Sequence, residues 1–154
     1  MLKELLIAFA IVGLCLALHI TVMVKLARWL MVRSRVLNKQ ARIANDTFLL
    51  MAVFALIIFL HMADSVIWAL LYYVRTLFSD FETSLYFSLA SYTTIGYGDV
   101  VLPRSWRLLG TIEGISGVLL CGLSTAFIFA IINALFRNRN VVDESPGPVV
   151  SRVI

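Results

Sequence analysis

The residues best placed to do chemistry stand in one short run, Thr93-Thr94-Ile95-Gly96-Tyr97-Gly98-Asp99. The chain shows no nucleophile–base pair, metal spacing or phosphate loop, and what this run offers is its backbone. A cation that enters a membrane must lose its water shell, and rings of backbone carbonyls can replace those oxygens. Successive carbonyls face one axis only if some residues adopt left-handed backbone angles, which glycine reaches cheaply. Gly96 and Gly98 sit where this is needed. The carbonyls of Thr94, Ile95, Gly96 and Tyr97, with the Thr94 hydroxyl, would then form the ion sites. The side chains of Ile95 and Tyr97 would point away from the axis and brace the strand. Irregular backbone of this kind is tolerated at membrane depth only where protein buries it or water reaches it.

The surrounding sequence supplies the elements to hold such a run. Before it, Phe81 to Tyr92 is apolar but only about half a membrane span, the length of a re-entrant segment. Ser79 and Glu82 have capping-box spacing, which predicts a helix starting near Asp80. Its C-terminal end, near Tyr92, would carry the partial negative charge that favours a cation. After the run, Leu108 to Phe136 is a full apolar stretch interrupted mainly by Glu113. Upstream lie Phe48 to Val74, broken only by His61, Asp64 and Ser65, and the uncharged Leu5 to Val24. Each meets the roughly 20 residues that a span requires. Lys3 is a weak basic start and no small-residue cleavage site follows, so the first run reads as a retained helix. The 154 residues are 61% hydrophobic and 14% charged, more apolar surface than a soluble domain of this size could hide. The expected fold is therefore all-α and integral to the membrane, with three transmembrane helices, a re-entrant helix and the loop after it. Cys15 and Cys121 both fall inside apolar runs and read as buried packing residues.

The string Thr94-Ile95-Gly96-Tyr97-Gly98, placed after a half-length helix and before a spanning one, resembles the selectivity filter of the potassium channel superfamily. The resemblance covers roughly the last two-thirds of the chain, as outer helix, pore helix, filter and inner helix. It implies K+ ions at Thr94, Ile95, Gly96 and Tyr97, with Gly98 completing the filter and Thr93 and Asp99 supporting it. One filter strand supplies a quarter of each ring, so it implies a homotetramer. The implied function is passive, K+-selective conduction with no cofactor. The alternatives are a non-selective cation channel, in whose relatives the Tyr97 position is typically not tyrosine, and a non-conducting regulatory or scaffold subunit, which would not need the intact filter. Transporters of the related uptake type carry several imperfect filters in a longer chain. An enzyme is not expected. Many relatives carry a glutamate and a tryptophan in the pore helix, where this chain has Ala90 and Phe87. Asp99 is therefore expected to lack its usual partners.

Basic residues orient the chain. Lys25, Arg28, Arg33, Arg35, Lys39 and Arg42 follow the first run, and Arg137 and Arg139 follow the third. Both segments are expected in the cytoplasm, which puts the N-terminus outside. This division gives a first helix with a basic loop (1–46), a pore domain (47–136) and a tail (137–154), disordered from Val141 with its Pro146 and Pro148. A plain positive-inside loop and an interfacial helix on anionic lipid both fit Arg28 to Arg42. The net charge of +4 thus points to membrane lipids and not to nucleic acid. Lys25 and Arg28 alone do not make a voltage sensor. No ligand-binding domain is expected after Phe136. The simple architecture resembles an inner-membrane, multi-pass protein.

Within the spans, His61, Asp64 and Glu113 are costly in lipid and should face protein or water. They read either as one network behind the pore helix that braces the filter and senses protons, or as a static polar cluster. His19 reads as a lone structural histidine. Gly117, with Gly122 and Gly114, is either a hinge in the inner helix or a site of close packing. Ser124 and Thr125 either line a cavity or bond back to their helix.

Overall fold

The computed structural model describes the backbone of residues 2–36 and 43–143 and the side chains of residues 2–31 and 46–135. Among the described residues four α-helices follow in order: α1 (Leu2–Val36), α2 (Ile43–Val74), α3 (Phe81–Tyr92) and α4 (Arg107–Asp143), with one 3-10 turn at Arg104–Trp106 before α4. Three of them hold apolar stretches of 30, 29 and 32 residues, Leu2–Met31, Asp46–Val74 and Arg104–Leu135. At about 1.5 Å per residue each is longer than a hydrocarbon core. This is the architecture of a multi-pass membrane protein, all-α as expected.

Two helices outrun their apolar stretches. α1 continues through Arg28, Arg33 and Arg35 to Val36, where the sequence suggested a loop. α4 carries Arg137 and Arg139 on to Asp143, into the expected tail. Neither extension contains Pro or Gly, so nothing stops the helix. The rest of the basic loop, including Lys39 and Arg42, and the tail with Pro146 and Pro148 lie outside the described residues.

α3 has the bounds the sequence suggested, but its cap differs. Asp80, in an extended conformation, accepts from Thr83 N at 2.7 Å. Ser79 Oγ instead donates to the Asp80 carboxylate at 2.6 Å. Asp80 competes better because a carboxylate is the stronger acceptor at the positive pole of a helix. These exposed hydrogen bonds, from Ser79 first, hold the Asp80 carboxyl below the usual range.

α3 packs between α2 and α4, and α1 lies against both long helices. Two cores result. One is built of Ala8, Cys15, Trp68, Tyr72, Phe87, Tyr92, Leu102, Leu109 and Leu120 around α3. The other is aliphatic, with Val53, Ile57 and Ile131. Much apolar surface stays uncovered in the single chain, including Phe9, Phe59 and Phe129. Cys121 is on that exposed surface, contrary to expectation, while Cys15 is buried. Its position follows from α4, whose Cys121 side is uncovered in one chain.

Candidate functional site

The run after α3 begins by closing the helix. Thr93 N donates to Leu89 O at 3.1 Å, Thr94 N to Ser91 O at 2.9 Å and Gly96 N to Ala90 O at 3.0 Å. These bonds satisfy carbonyls left open at a helix end. Beyond them the backbone alternates in hand. Thr94 (φ 60°), Gly96 (φ 50°) and Gly98 (φ 79°) are left-handed, and Ile95 and Tyr97 between them are not. In a regular strand successive carbonyls point to opposite sides. Inverting every second residue turns alternate peptides over and lets neighbouring carbonyls share a side. The glycines adopt this freely. Thr94 is strained there, by roughly 1–3 kcal/mol, and sequence reading did not foresee it. Asp99 does have a partner: Tyr86, one turn before Ala90, donates to it at 2.7 Å and holds its carboxyl below the usual range. No local spacing revealed this contact.

Behind the run, the structure separates the intramembrane carboxylates into two clusters, not one network. Glu113, fully buried on α4, accepts from Tyr72 Oη at 2.6 Å and contacts Ser88 Oγ through its other oxygen. Ser88 Oγ also lies 2.8 Å from the Ser65 carbonyl. Ser88 has one hydrogen for two acceptors, so both contacts are hydrogen bonds together only when Glu113 supplies a second hydrogen.

Asp64, fully buried on α2, belongs to the other cluster. Tyr92 Oη donates to its Oδ2 at 3.0 Å and stands 2.8 Å from His61 Nδ1. His19 is not alone as expected. Its Nδ1 reaches 3.0 Å from Asp64 Oδ2, and its ring centroid is 4.9 Å from that of His61. Sequence reading missed this because α1 and α2 share no local register.

α3 joins the clusters through Ser88 and Tyr92, one helical turn apart on one face. Its end is wedged against α4. A Cβ on Gly117 would lie 2.1 Å from Tyr92 O, and one on Gly114 would lie 3.1 Å from Ser91 O. Close packing therefore accounts for Gly117. Gly122 meets nothing within 4 Å. Thr125 bonds back to Cys121 O at 2.9 Å, and Ser124 is buried without a hydrogen-bond partner. On the open side, Thr94 and Gly96 line an apolar groove of about 580 Å³ with Ile115, Val118 and Leu119 of α4.

A family model described as "Ion channel" matches residues 46–134. No curated protein and no solved structure matches the chain.

Proposed function

The chain belongs to the ion channel family, and from that premise we propose that it is a subunit of a K+-selective channel conducting passively through a homotetrameric pore. Members of the family are non-catalytic transport proteins that pass ions across membranes. The observation that carries the finer reading is the alternation of hand at Thr94, Gly96 and Gly98 directly after a half-length helix. Carbonyls of Thr94, Ile95, Gly96 and Tyr97 on one side of the strand, with the Thr94 hydroxyl, offer a dehydrated K+ one quarter of each oxygen ring. Gly98 completes the turn of the strand, and Thr93 and Asp99 anchor its ends through Leu89 O and Tyr86. α3 then acts as the pore helix, with its negative end at the ion sites.

Four copies are needed to close the rings, in keeping with the symmetry of oligomers. The uncovered groove beside Thr94 and Gly96 is the surface that neighbouring copies and the pore would share. Residues 47–136 form the pore domain, 1–46 an added helix with its basic segment and 137–154 the tail. The excess of Lys and Arg after the first and third spans supports an inner-membrane protein with its N-terminus outside.

Liposomes holding the purified chain test this. K+ efflux blocked by barium, with Na+ excluded, is the expected result. Equal passage of the two ions would replace the selective filter by a non-selective one, and no flux under any gradient would favour a silent subunit.

A further inference from the structure

We infer that His19, His61 and Asp64 form a binding site for a divalent transition-metal ion of the zinc class, which clamps α1 onto α2. One ligand atom from each of the three lies within 4.8 Å of the others. Ligands on bonds of about 2.0–2.2 Å stand roughly 3.3–4.4 Å apart around one ion, so small side-chain rotations close the set. His61 and Asp64 are three residues apart on one face of α2, and His19 faces them from α1.

The polar inventory of the cluster is incomplete without such an ion. His19 and Asp64 are fully buried. Neither nitrogen of His19 has a hydrogen-bond partner, and neither does Asp64 Oδ1. The close approach of His19 Nδ1 to Asp64 Oδ2, at 3.0 Å, is not a directed hydrogen bond. Buried donors and acceptors are normally satisfied, and a buried carboxylate needs a positive partner. A divalent ion would satisfy one nitrogen of His19 together with Asp64 Oδ1. Tyr92 adds the support that metal ligands commonly have, because its hydroxyl already holds Asp64 by Oδ2 and His61 by Nδ1. Two imidazoles with a carboxylate suit zinc and its neighbours, whereas magnesium and calcium prefer all-oxygen sets. The Glu113 cluster offers the contrast: both its oxygens are engaged by hydroxyls.

The inference does not depend on what passes along residues 93–99. Its test uses the full chain, free of any affinity tag, stripped with a chelator, supplied with Zn2+ and re-isolated. About one ion per chain is expected, with retention falling at least about tenfold in His19→Gln and in Asp64→Asn. Cys121→Ser, which removes an exposed thiol on α4, should retain the ion fully. Co2+ in place of zinc should give visible absorption bands distinct from those of the hydrated ion. Wild-type chain that retains no ion overturns the inference, as does equal retention by the His19 and Asp64 variants. If those variants do not fold, the Co2+ spectrum of the wild-type chain decides, and one identical to the hydrated ion overturns it.

Discussion

Asp64 and Glu113 are both fully buried carboxylates in membrane-spanning helices, yet their surroundings differ in kind. Glu113 is closed: hydroxyls of Tyr72 and Ser88 occupy its two oxygens, and the Ser65 carbonyl completes the chain of contacts. Asp64 is open: one oxygen takes the Tyr92 hydroxyl, the other has no hydrogen-bond partner, and a histidine whose nitrogens make no hydrogen bond stands beside it. A closed cluster braces, because every atom in it loses something when any one moves. An open cluster has capacity left, which is what a ligand site requires. Both hang on α3, so the difference lies in what α1, α2 and α4 present to it.

The largest effect is expected from breaking the closed side. Glu113→Ala strands the Tyr72 hydroxyl, leaves Ser88 only the Ser65 carbonyl and opens a cavity, and should destabilise the fold by about 2–5 kcal/mol. Glu113→Gln should lie within about 1 kcal/mol of wild type, since the amide supplies the second hydrogen that the Ser88 contacts call for. Denaturant unfolding in detergent measures both, and a Gln variant as damaged as the Ala variant would mean that the cluster holds a carboxylate charge.

Next comes the wedge that seats both clusters. Gly117→Ala places a Cβ against backbone at Tyr92 and should cost about 1–3 kcal/mol. Gly122→Ala, with open space around it, should be neutral or stabilising by up to about 1 kcal/mol. A hinge at Gly117 without a packing role would instead leave stability unchanged and alter conduction alone.

On the open side, Tyr92→Phe should cost about 1–2 kcal/mol, less than Glu113→Ala, because Asp64 and His61 lose one shared hydroxyl. The same thermal or denaturant curves, read with and without Zn2+, tell whether an ion binds at Asp64.

The smallest effect is expected at the exposed carboxylates outside the spans. Asp80 and Asp99 both have folded-state pKa values below their ordinary ones. Their stabilisation is therefore fully present above the ordinary carboxylate range and is lost as pH falls through the lower, folded values. A stability–pH curve should stay flat from neutrality to that range and fall only in acid. In Tyr86→Phe the Asp99 part of the fall should shrink, and NMR titration should show the Asp99 carboxyl moving up toward its ordinary range while Asp80 stays low.

How much of this the sequence disclosed depends on the distance over which each feature is built. Local features were legible: the apolar runs, the bounds of α3 and the need for left-handed angles at Gly96 and Gly98. Single costly residues stood out too, because Asp64 and Glu113 interrupt apolar stretches. Their partners did not. The bonds from Tyr72, Tyr92 and Ser88 cross 41, 28 and 25 positions, and tyrosine or serine in an apolar run raises no alarm alone. His19 looked solitary because its neighbours lie on another helix. Gly117 was ambiguous because hinge and close packing both select glycine, and only the Tyr92 carbonyl beside it decides.

The brevity of α3 has a consequence for how the molecule comes to exist. Twelve residues are too few to cross a bilayer and marginal for a helix standing alone. The three long helices can enter the membrane on their own hydrophobicity. α3 cannot, and it becomes a helix when Ser88 and Tyr92 find Glu113 and Asp64 already in place. Residues 93–99 make their first hydrogen bonds to its last carbonyls, so their shape rests on α3. The long helices are thus the scaffold on which α3 and the run after it depend.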